Sequence, residues 1–344
     1  MAHTAIKPSI LLGSDIRNQN LRTLRRTLHE LQVATISQLR ERTGLSVVTL
    51  NKLVAALIES GEITEGGTQH AAAGRPAKTY QFNASHQLLL IVSCYQRGGH
   101  DYAGYSVHNL FGECLERREE LLSTIHTDEF RIGIERYLER YRRIATIGIS
   151  MPTDTVGGRM ASAIRHDPQS KRLAHHLQQH FQVPVLFETD INAATLGCFN
   201  RSDQDYVTGL VLVPGRAPAC GFCYKGDLIR GKDGLAGEVR FFPMYNEQGV
   251  LPEEPLQADE LAIRTLRALM CVLNPELVEI YTENLRPGLI ERFKKRIASV
   301  AEQALIPQIE LNPRIRDDIV SGMVTLCLDA LSNVTQPAAR SLQS

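Results

Sequence analysis

The spacing of helix caps and glycines within the first sixty residues permits few folds. Residues Thr35 to Gln38 have the pattern of a capping box, in which the two side chains satisfy free backbone N–H groups at the start of a helix. That helix should end near Gly44, a residue suited to a tight turn. Ser46 can then cap a further helix, which Gly61 closes. Two short helices joined by a glycine turn predict a helix-turn-helix.

The segments on either side complete the prediction. Leucines recur at the spacing of an amphipathic helix ahead of the motif, at Leu21, Leu24, Leu28 and Leu31. After the motif, residues 62–65 and 78–82 have strand composition and enclose a Gly/Ala-rich connection. The sequence therefore predicts a winged helix-turn-helix over residues 1–86.

Charge favours nucleic acid as the partner of this segment. Residues 1–86 carry ten Lys or Arg and six Asp or Glu, a net charge of +4, whereas the remainder carries 28 against 32, a net charge of −4. A basic segment joined to a slightly acidic body is typical of a DNA-binding module. The alternative is a winged helix that serves only as a protein-interaction module.

Docking geometry identifies the candidate DNA contacts. The N-terminal part of the second helix of the motif normally enters the major groove, and a wing arginine can enter the minor groove. We expect contacts to bases and phosphates from Arg40, Ser46, Val47, Thr49, Asn51, Lys52 and Arg75. Further arginines that could neutralise phosphates are Arg22, Arg25, Arg26 and Arg42. A dimer on a palindromic double-stranded operator would match this geometry.

The pattern changes after residue 86. Strands are expected at 88–93, 100–107, 113–119, 144–150, 183–188, 206–213 and 221–224, with helices at about 127–141, 171–181 and 191–199. From Leu256 onward the chain looks mostly helical. This alternation predicts an α/β fold with two lobes of the actin and ribonuclease H-like type, over 87–200 and 201–344. A cleft between such lobes is the default ligand site.

Composition adds few constraints. No apolar run reaches the ~18 residues that a membrane span needs, and the first twenty residues lack a signal-peptide pattern, so we expect a cytoplasmic protein. An odd number of cysteines, seven, is typical of reduced, buried thiols. Cys220 and Cys223 have the spacing of half a metal or redox site, but they lie on an expected strand and are better interpreted as core residues.

At this point the chain resembles the ROK family (repressors, open reading frames and kinases), in its xylose-repressor and N-acetylglucosamine-repressor branch. The resemblance runs from about Asn20 to the C-terminus. Its anchors are Ala73-Gly-Arg-Pro-Ala77, Ile147-Gly-Ile-Ser-Met-Pro152, residues 183–197, Gly226-Asp-Leu-Ile-Arg-Gly231, Gly234-Leu-Ala-Gly-Glu238 and residues 273–278. It implies a transcriptional regulator, a repressor of carbohydrate-related genes, that forms a homodimer or a dimer of dimers.

The resemblance also implies a sugar pocket. Glu188, Asp190 and Glu238 match family positions, and Asp190 matches the general base of the family's kinases. Carboxylates can also bind hydroxyls without catalysis, so we expect these three residues to bind a sugar effector. The chain departs from the family pattern nearby, with Thr189 for the usual Asn, Phe241 for the usual His and Thr153 for the usual Gly. The alternative is that the carboxylates only cap helices and satisfy loops.

Departures at the nucleotide and zinc positions argue against catalysis. Residues 91–96 lack the first phosphate loop of the family's kinases, and residues 215–221 replace the second, with Pro218 removing a backbone N–H. Residues 241–252 contain no Cys or His where the family's zinc site lies. We therefore expect no enzyme activity, catalytic residue, cofactor or metal. Two alternatives stay open, a sugar kinase with an added DNA-binding domain and a regulator controlled only by a protein partner.

Overall fold

The computed structural model describes residues 13–69, 76–97, 99–122, 127–151, 175–213, 215–245, 249–282, 288–297 and 306–334. The chain divides into two compact units, Met1–His86 and Gln87–Ser344. None of the helices in these described ranges has both the length and the apolarity that a membrane span requires.

The first unit has the predicted order of helices. Its elements are α1 (Gly13–Leu31), β1 (Val33–Thr35), α2 (Ile36–Thr43), α3 (Val47–Glu59), β2 (Ile63–Gln69) and β3 (Ala77–Phe82). The capping box is confirmed, because the Thr35 backbone N–H donates to Gln38 Oε1 at 2.8 Å and the Gln38 N–H donates to Thr35 Oγ1 at 3.3 Å. Gly44 adopts the left-handed conformation, with φ of 71°, so α2 and α3 are joined by the predicted tight turn.

The sheet of this unit contains a strand that the sequence did not predict. β1 pairs antiparallel with β3, and the strand order is β1-β3-β2. A three-residue strand is too short to show an alternating pattern, which explains the omission. The helices and the sheet enclose one apolar core, centred on Leu24, Leu28, Leu39, Leu50, Leu57 and Ile63.

The first sheet of the second unit mixes parallel and antiparallel strands. Its strands are β4 (Leu88–Arg97), β5 (His100–His108), β6 (Cys114–Leu122), β7 (Ile144–Met151) and β8 (Val185–Thr189), with α4 (Thr127–Arg140) between β6 and β7. The order is β6-β5-β4-β7-β8, and β4, β7 and β8 run parallel. Leu88, Leu90 and Val92 belong to one core cluster, and Leu89 and Ile91 to another. β4 is therefore buried on both faces, as its unbroken apolar run indicates.

The second sheet includes three further strands that the sequence did not predict, Asp227–Leu228, Leu277–Tyr281 and Gln308–Asn312. Its strands are β9 (Tyr206–Val211), β10 (Ala219–Tyr224), β11 (Asp227–Leu228), β12 (Leu277–Tyr281) and β13 (Gln308–Asn312), in the order β11-β10-β9-β12-β13. The helices are α5 (Asp190–Arg201), α6 (Pro255–Leu273), α7 (Leu289–Ile297) and α8 (Ile315–Val334). The expectation of a mostly helical chain after Leu256 thus missed β12 and β13. Short apolar runs do not distinguish a buried strand from a helix by periodicity.

Two glycines allow α5 and α8 to cross closely. A Cβ atom on Gly197 would overlap the Asp318 carbonyl, and one on Gly322 would overlap the Ala193 carbonyl. α8 also packs against β4 and β7 of the first sheet, while α5 packs against β9 and β10 of the second. The helix at the C-terminal end of the described chain therefore contacts the first sheet, and a lobe boundary near residue 200 stays a prediction.

Candidate functional site

The solvent face of α3 carries most of the predicted DNA contacts. The helix buries Leu50, Leu53, Val54 and Leu57. On its other side Asn51 and Lys52 are exposed, and Val47 and Val48 are 42% and 67% exposed. An amphipathic helix that buries one stripe must present the other, so the same pattern that builds the core sets this outward face.

The first turn of α3 is fixed by its own hydroxyls. Ser46 Oγ accepts a hydrogen bond from the Thr49 backbone N–H at 3.2 Å, and the Ser46 and Thr49 hydroxyls lie 2.9 Å apart. Both residues therefore stabilise the helix start, which leaves less of their hydrogen-bonding capacity for a partner. Arg40 is exposed in the last turn of α2. Arg75 lies outside the described residues.

Arg25, one of the arginines that could neutralise phosphates, is paired with a carboxylate of its own unit. Its Nε and Nη2 donate to the two carboxylate oxygens of Glu62 at 2.6 and 2.7 Å. Burial alone would raise the pKa of Glu62, but the hydrogen bond and charge of Arg25 outweigh it and lower the pKa below its ordinary value. This bidentate pair joins α1 to the residue before β2.

The carboxylate of Glu188, at the end of β8, is saturated by the protein itself. The side chain is 4% exposed. Its Oε1 accepts from Asn192 Nδ2 at 2.9 Å and from the Thr189 backbone N–H at 3.0 Å. Its Oε2 accepts from Arg230 Nε and lies 2.8 Å from Arg230 Nη2. Four donors on one carboxylate leave little capacity for a hydroxyl of an added ligand.

Arg230 is the residue at this site that sequence reasoning missed. It lies in the Gly226–Gly231 segment that carries part of the family resemblance. The available signal was the need of a buried carboxylate for a cationic partner, but nothing in sequence spacing indicates which arginine supplies it.

The other two predicted effector residues lie on neighbouring elements. Asp190 begins α5, and its carboxylate accepts from the Ile191 backbone N–H at 2.6 Å. Glu238 follows Gly237, whose carbonyl accepts from the Cys220 N–H of β10 at 2.9 Å. α5 packs against that same strand, because Gly221 admits the Thr195 side chain. β8, α5 and β10 thus organise all three carboxylates within one unit.

Glu238 is also paired with an arginine. Its Oε2 lies 3.1 Å from Arg240 Nε, and the Arg240 guanidinium lies 5.0 Å from the centre of the Phe241 ring. Phe241 is largely exposed, so the position of the family's usual His presents an aromatic surface without a proton donor.

The segment in place of the first phosphate loop is a paired strand. β4 and β5 keep their antiparallel register from Leu89↔His108 to Arg97↔His100. Phosphate cradles use backbone N–H groups that no ladder occupies, so this segment offers a different surface. There the Tyr95 and Tyr102 rings stack at 5.7 Å, and the Arg97 guanidinium covers Tyr102 at 4.5 Å.

Cysteines and metal ligands give no further site. Cys220 and Cys223 are both buried in β10, and burial raises the pKa of the Cys223 thiol to about 11. Of the seven thiols, Cys114 and Cys271 are exposed, contrary to the expectation of buried thiols. Across the described ranges, no three His, Cys, Asp or Glu side chains lie together as a metal site requires.

An ionic network built on two buried carboxylates connects α5, α8 and the second sheet. Arg201 donates to both carboxylate oxygens of Asp318 at 3.0 Å and to Glu279 at 2.6 Å. Tyr281 donates to Asp318 at 2.9 Å. The hydrogen bonds to Asp318 raise the pKa of Arg201, and burial raises the pKa of Tyr281. The network holds the C-terminal end of α5, the helix that begins with Asp190.

Comparison with known proteins found a similarity in the central part of the chain. Residues 98–250 match the model of the ROK family. A search among curated proteins found no match.

Solved structures extend the ROK likeness over more of the chain. The crystal structure of a ROK family transcriptional regulator, a homolog of the E. coli MLC protein, matches with a TM-score of 0.64 and 16% identity, over 93% of this chain and 98% of that chain. The ROK hexokinase from Thermus thermophilus matches with a TM-score of 0.55 and 16% identity, over 71% of this chain and 99% of that chain. A ROK family glucokinase from Streptomyces griseus, in complex with glucose and AMPPNP, matches with a TM-score of 0.51 and 16% identity, over 70% and 99%. At this identity the likeness establishes the α/β fold alone.

Proposed function

We propose that this protein is a DNA-binding transcriptional regulator whose residues 1–86 form a winged helix-turn-helix. One observation carries the proposal. Residues 87–344 are three quarters of the chain, so a likeness to the ROK regulator over 93% must extend into residues 1–86. The hexokinase and the glucokinase match over 71% and 70%, an extent that the second unit could supply by itself.

The surface of α3 supports DNA as the ligand. Asn51 and Lys52 are exposed there, and Arg40 is exposed at the end of the preceding helix. An amide can form two hydrogen bonds with adenine, and lysine and arginine can pair with phosphates. The net charge of +4 on residues 1–86 favours the same partner. Arg75 completes the proposed contact set from the wing.

We propose further that the ROK domain makes the dimer contact and senses an effector, so that the protein represses carbohydrate-related genes. Asp190 and Glu238 would bind hydroxyls of a sugar, with Glu188 as a third acceptor. Because Arg230 already pairs with Glu188, a ligand at Glu188 would have to displace that arginine. Such a displacement would let ligand binding change the structure around α5, which effector control requires.

Selection of bound genomic fragments by the full-length protein, at near-physiological salt, tests the proposal. The wild type should enrich one palindromic site, and Lys52→Ala or Asn51→Ala should weaken that enrichment. Lys295→Ala is the matched control, since it removes an exposed lysine from α7 and should enrich the same site as the wild type. Weak binding with steep salt dependence and no enriched sequence would contradict the proposal.

A sugar kinase with an added DNA-binding domain is the second candidate. The fold likeness to a hexokinase and a glucokinase favours it, as does Asp190 at the position of the family's general base. The paired strands β4 and β5 at the first phosphate position oppose it, because positioning of phosphates is most of phosphoryl-transfer catalysis. A coupled ATPase assay over a panel of sugars decides between them. Sugar-dependent turnover that Asp190→Asn abolishes would establish the kinase.

A regulator controlled only by a protein partner is the third candidate, and the internal pairing of Glu188 favours it. Thermal-shift measurements with sugars test it. A sugar that raises the melting temperature of the wild type but not of Asp190→Ala would rule this candidate out.

A further inference from the structure

The exposed valines of α3 are unusual for a solvent-facing helix turn. Val47 and Val48 occupy the first two positions of the helix and are 42% and 67% exposed. β-branched side chains lose rotamer freedom in a helix and lower its stability slightly. Here burial compensates for little of that cost, so packing within the protein does not explain two adjacent valines.

The outward surface of the first turn of α3 is apolar although polar residues lie next to it. At 3.6 residues per turn, Val47, Val48, Asn51, Lys52 and Ala55 lie on one side of the helix, and all five are exposed. The first turn also contains two hydroxyls, but they bond to each other and to the helix backbone. The face therefore presents two valines at its N-terminal end, followed by an amide and an amine.

The major groove of DNA offers one apolar group to such a surface, the C5-methyl of thymine. Lys52 adds positive charge about one turn beyond the valines on the same face of α3, which complements the phosphates that border the groove. We propose that Val47 and Val48 contact thymine methyl groups, so that each operator half-site places a thymine against the first turn of α3. This inference rests on the proposed function, the binding of DNA by residues 1–86.

Replacement of thymine by deoxyuracil tests the inference, because deoxyuracil keeps every hydrogen-bonding group and lacks only the methyl. The full-length protein is titrated with the operator from fragment selection and with duplexes that carry one deoxyuracil at a time. At one or two thymines of each half-site, wild-type binding should weaken roughly fourfold, the affinity equivalent of about one buried methyl group. Val48→Ala should bind the natural operator more weakly and lose the response to deoxyuracil at one of those positions.

A matched control separates this contact from a general effect of the substitution. Val33→Ala shortens a valine of β1 that is 45% exposed and should respond to deoxyuracil like the wild type. Alanine is the better helix former, so Val48→Ala should fold like the wild type, which circular dichroism checks.

The outcomes separate the inference from the proposed function. Sequence-specific wild-type binding with no response to deoxyuracil at any position would overturn the thymine contact and leave the DNA-binding function in place. A response that persists unchanged in both Val47→Ala and Val48→Ala would also overturn it. Absence of any sequence-specific binding by the wild type would overturn both, and a protein partner would then be the occupant to test on this face.

Discussion

The solvent face of α3 and the junction of β8 with α5 handle their polar groups in opposite ways. On α3, Asn51 and Lys52 are directed to solvent. At the junction, Glu188 is buried and accepts hydrogen bonds from Asn192, Thr189 and Arg230. A buried charge must be paired within the chain itself, whereas an exposed polar group is hydrogen-bonded by water and stays available to a ligand. The difference separates a surface suited to a large ligand from a site that is internally closed.

This contrast predicts two classes of variant. Substitutions of inward-facing charges should lower the free energy of unfolding, because they leave a buried partner uncompensated. Substitutions on the α3 face should change DNA affinity and alter stability by less than about 0.5 kcal/mol. An inward-facing substitution that changed DNA affinity without changing stability, or an α3 substitution that changed stability without changing affinity, would contradict this division.

The largest effect is expected for Arg201→Ala. Glu279 and Asp318 are 1% and 5% exposed, and the variant would leave both carboxylates without their cation. Removal of one partner from a buried pair costs about 3–5 kcal/mol, and the lower end applies here because water reaches Arg201. Hydrogen exchange of peptides from α5 and α8, followed across a urea titration of the full chain, measures the loss.

Arg264→Ala is the matched control for Arg201→Ala. Arg264 forms an exposed pair with Glu260, one turn away on α6, and such pairs contribute about 0.2–1 kcal/mol. Equal losses in the two variants would show that the buried network does not differ energetically from a surface pair.

A smaller loss, about 2 kcal/mol, is expected for Arg230→Ala. This variant leaves one buried carboxylate, Glu188, without its cation, whereas Arg201→Ala leaves two. If the uncompensated charge of Glu188 causes the loss, the double variant Arg230→Ala with Glu188→Gln should regain part of it, because a neutral amide needs no cation. Thermal unfolding of the single and double variants provides the measurement. A double variant no more stable than Arg230→Ala would assign the loss to packing of the arginine stem instead.

The same contrast explains which features could be predicted from sequence. The helices of the first unit were predicted because Thr35, Gly44 and Ser46 act within one or two turns of the chain. β12 and β13 were missed because their stability comes from burial and from parallel pairing to segments far away in sequence. Propensity and periodicity carry no information on such pairings.

The candidate site divides along the same line. Exposure of Asn51 and Lys52 follows from the apolar stripe on the opposite side of α3, which the sequence displays directly. The pairing of Glu188 with Arg230 joins residues 42 positions apart, and that of Arg25 with Glu62 joins residues 37 apart. Which charges meet depends on tertiary packing, so sequence reasoning identified Glu188 and Arg25 and missed the partner of each.

Asn51→Ala tests the second class of variant, substitutions on the α3 face. We expect operator affinity about tenfold lower, since a bidentate amide contact to a base contributes about 1–3 kcal/mol, with thermal stability unchanged. Fluorescence anisotropy with the selected operator measures the affinity, and Lys295→Ala, at an exposed lysine of α7, serves as the control. A drop in melting temperature without a change in affinity would mean that Asn51 stabilises the fold and does not contact DNA.

The smallest effect is expected for Glu62→Gln, and it depends on pH. Pairing with Arg25 lowers the pKa of Glu62 in the folded protein, so the folded state binds this proton less readily than the unfolded state. The resulting stability is present above the unfolded pKa of about 4.5 and is lost as the pH falls through the lower, folded value. Glu62→Gln should therefore be less stable than the wild type at pH 7, by about 1 kcal/mol, and the difference should shrink below pH 4.

Calorimetry of the full chain between pH 7 and pH 3 checks this, with Glu41→Gln, at an exposed glutamate of α2, as the control. A stability difference that stays constant across this range would mean that folding does not lower the pKa of Glu62, and the charge of Arg25 would then not account for the stability of the pair.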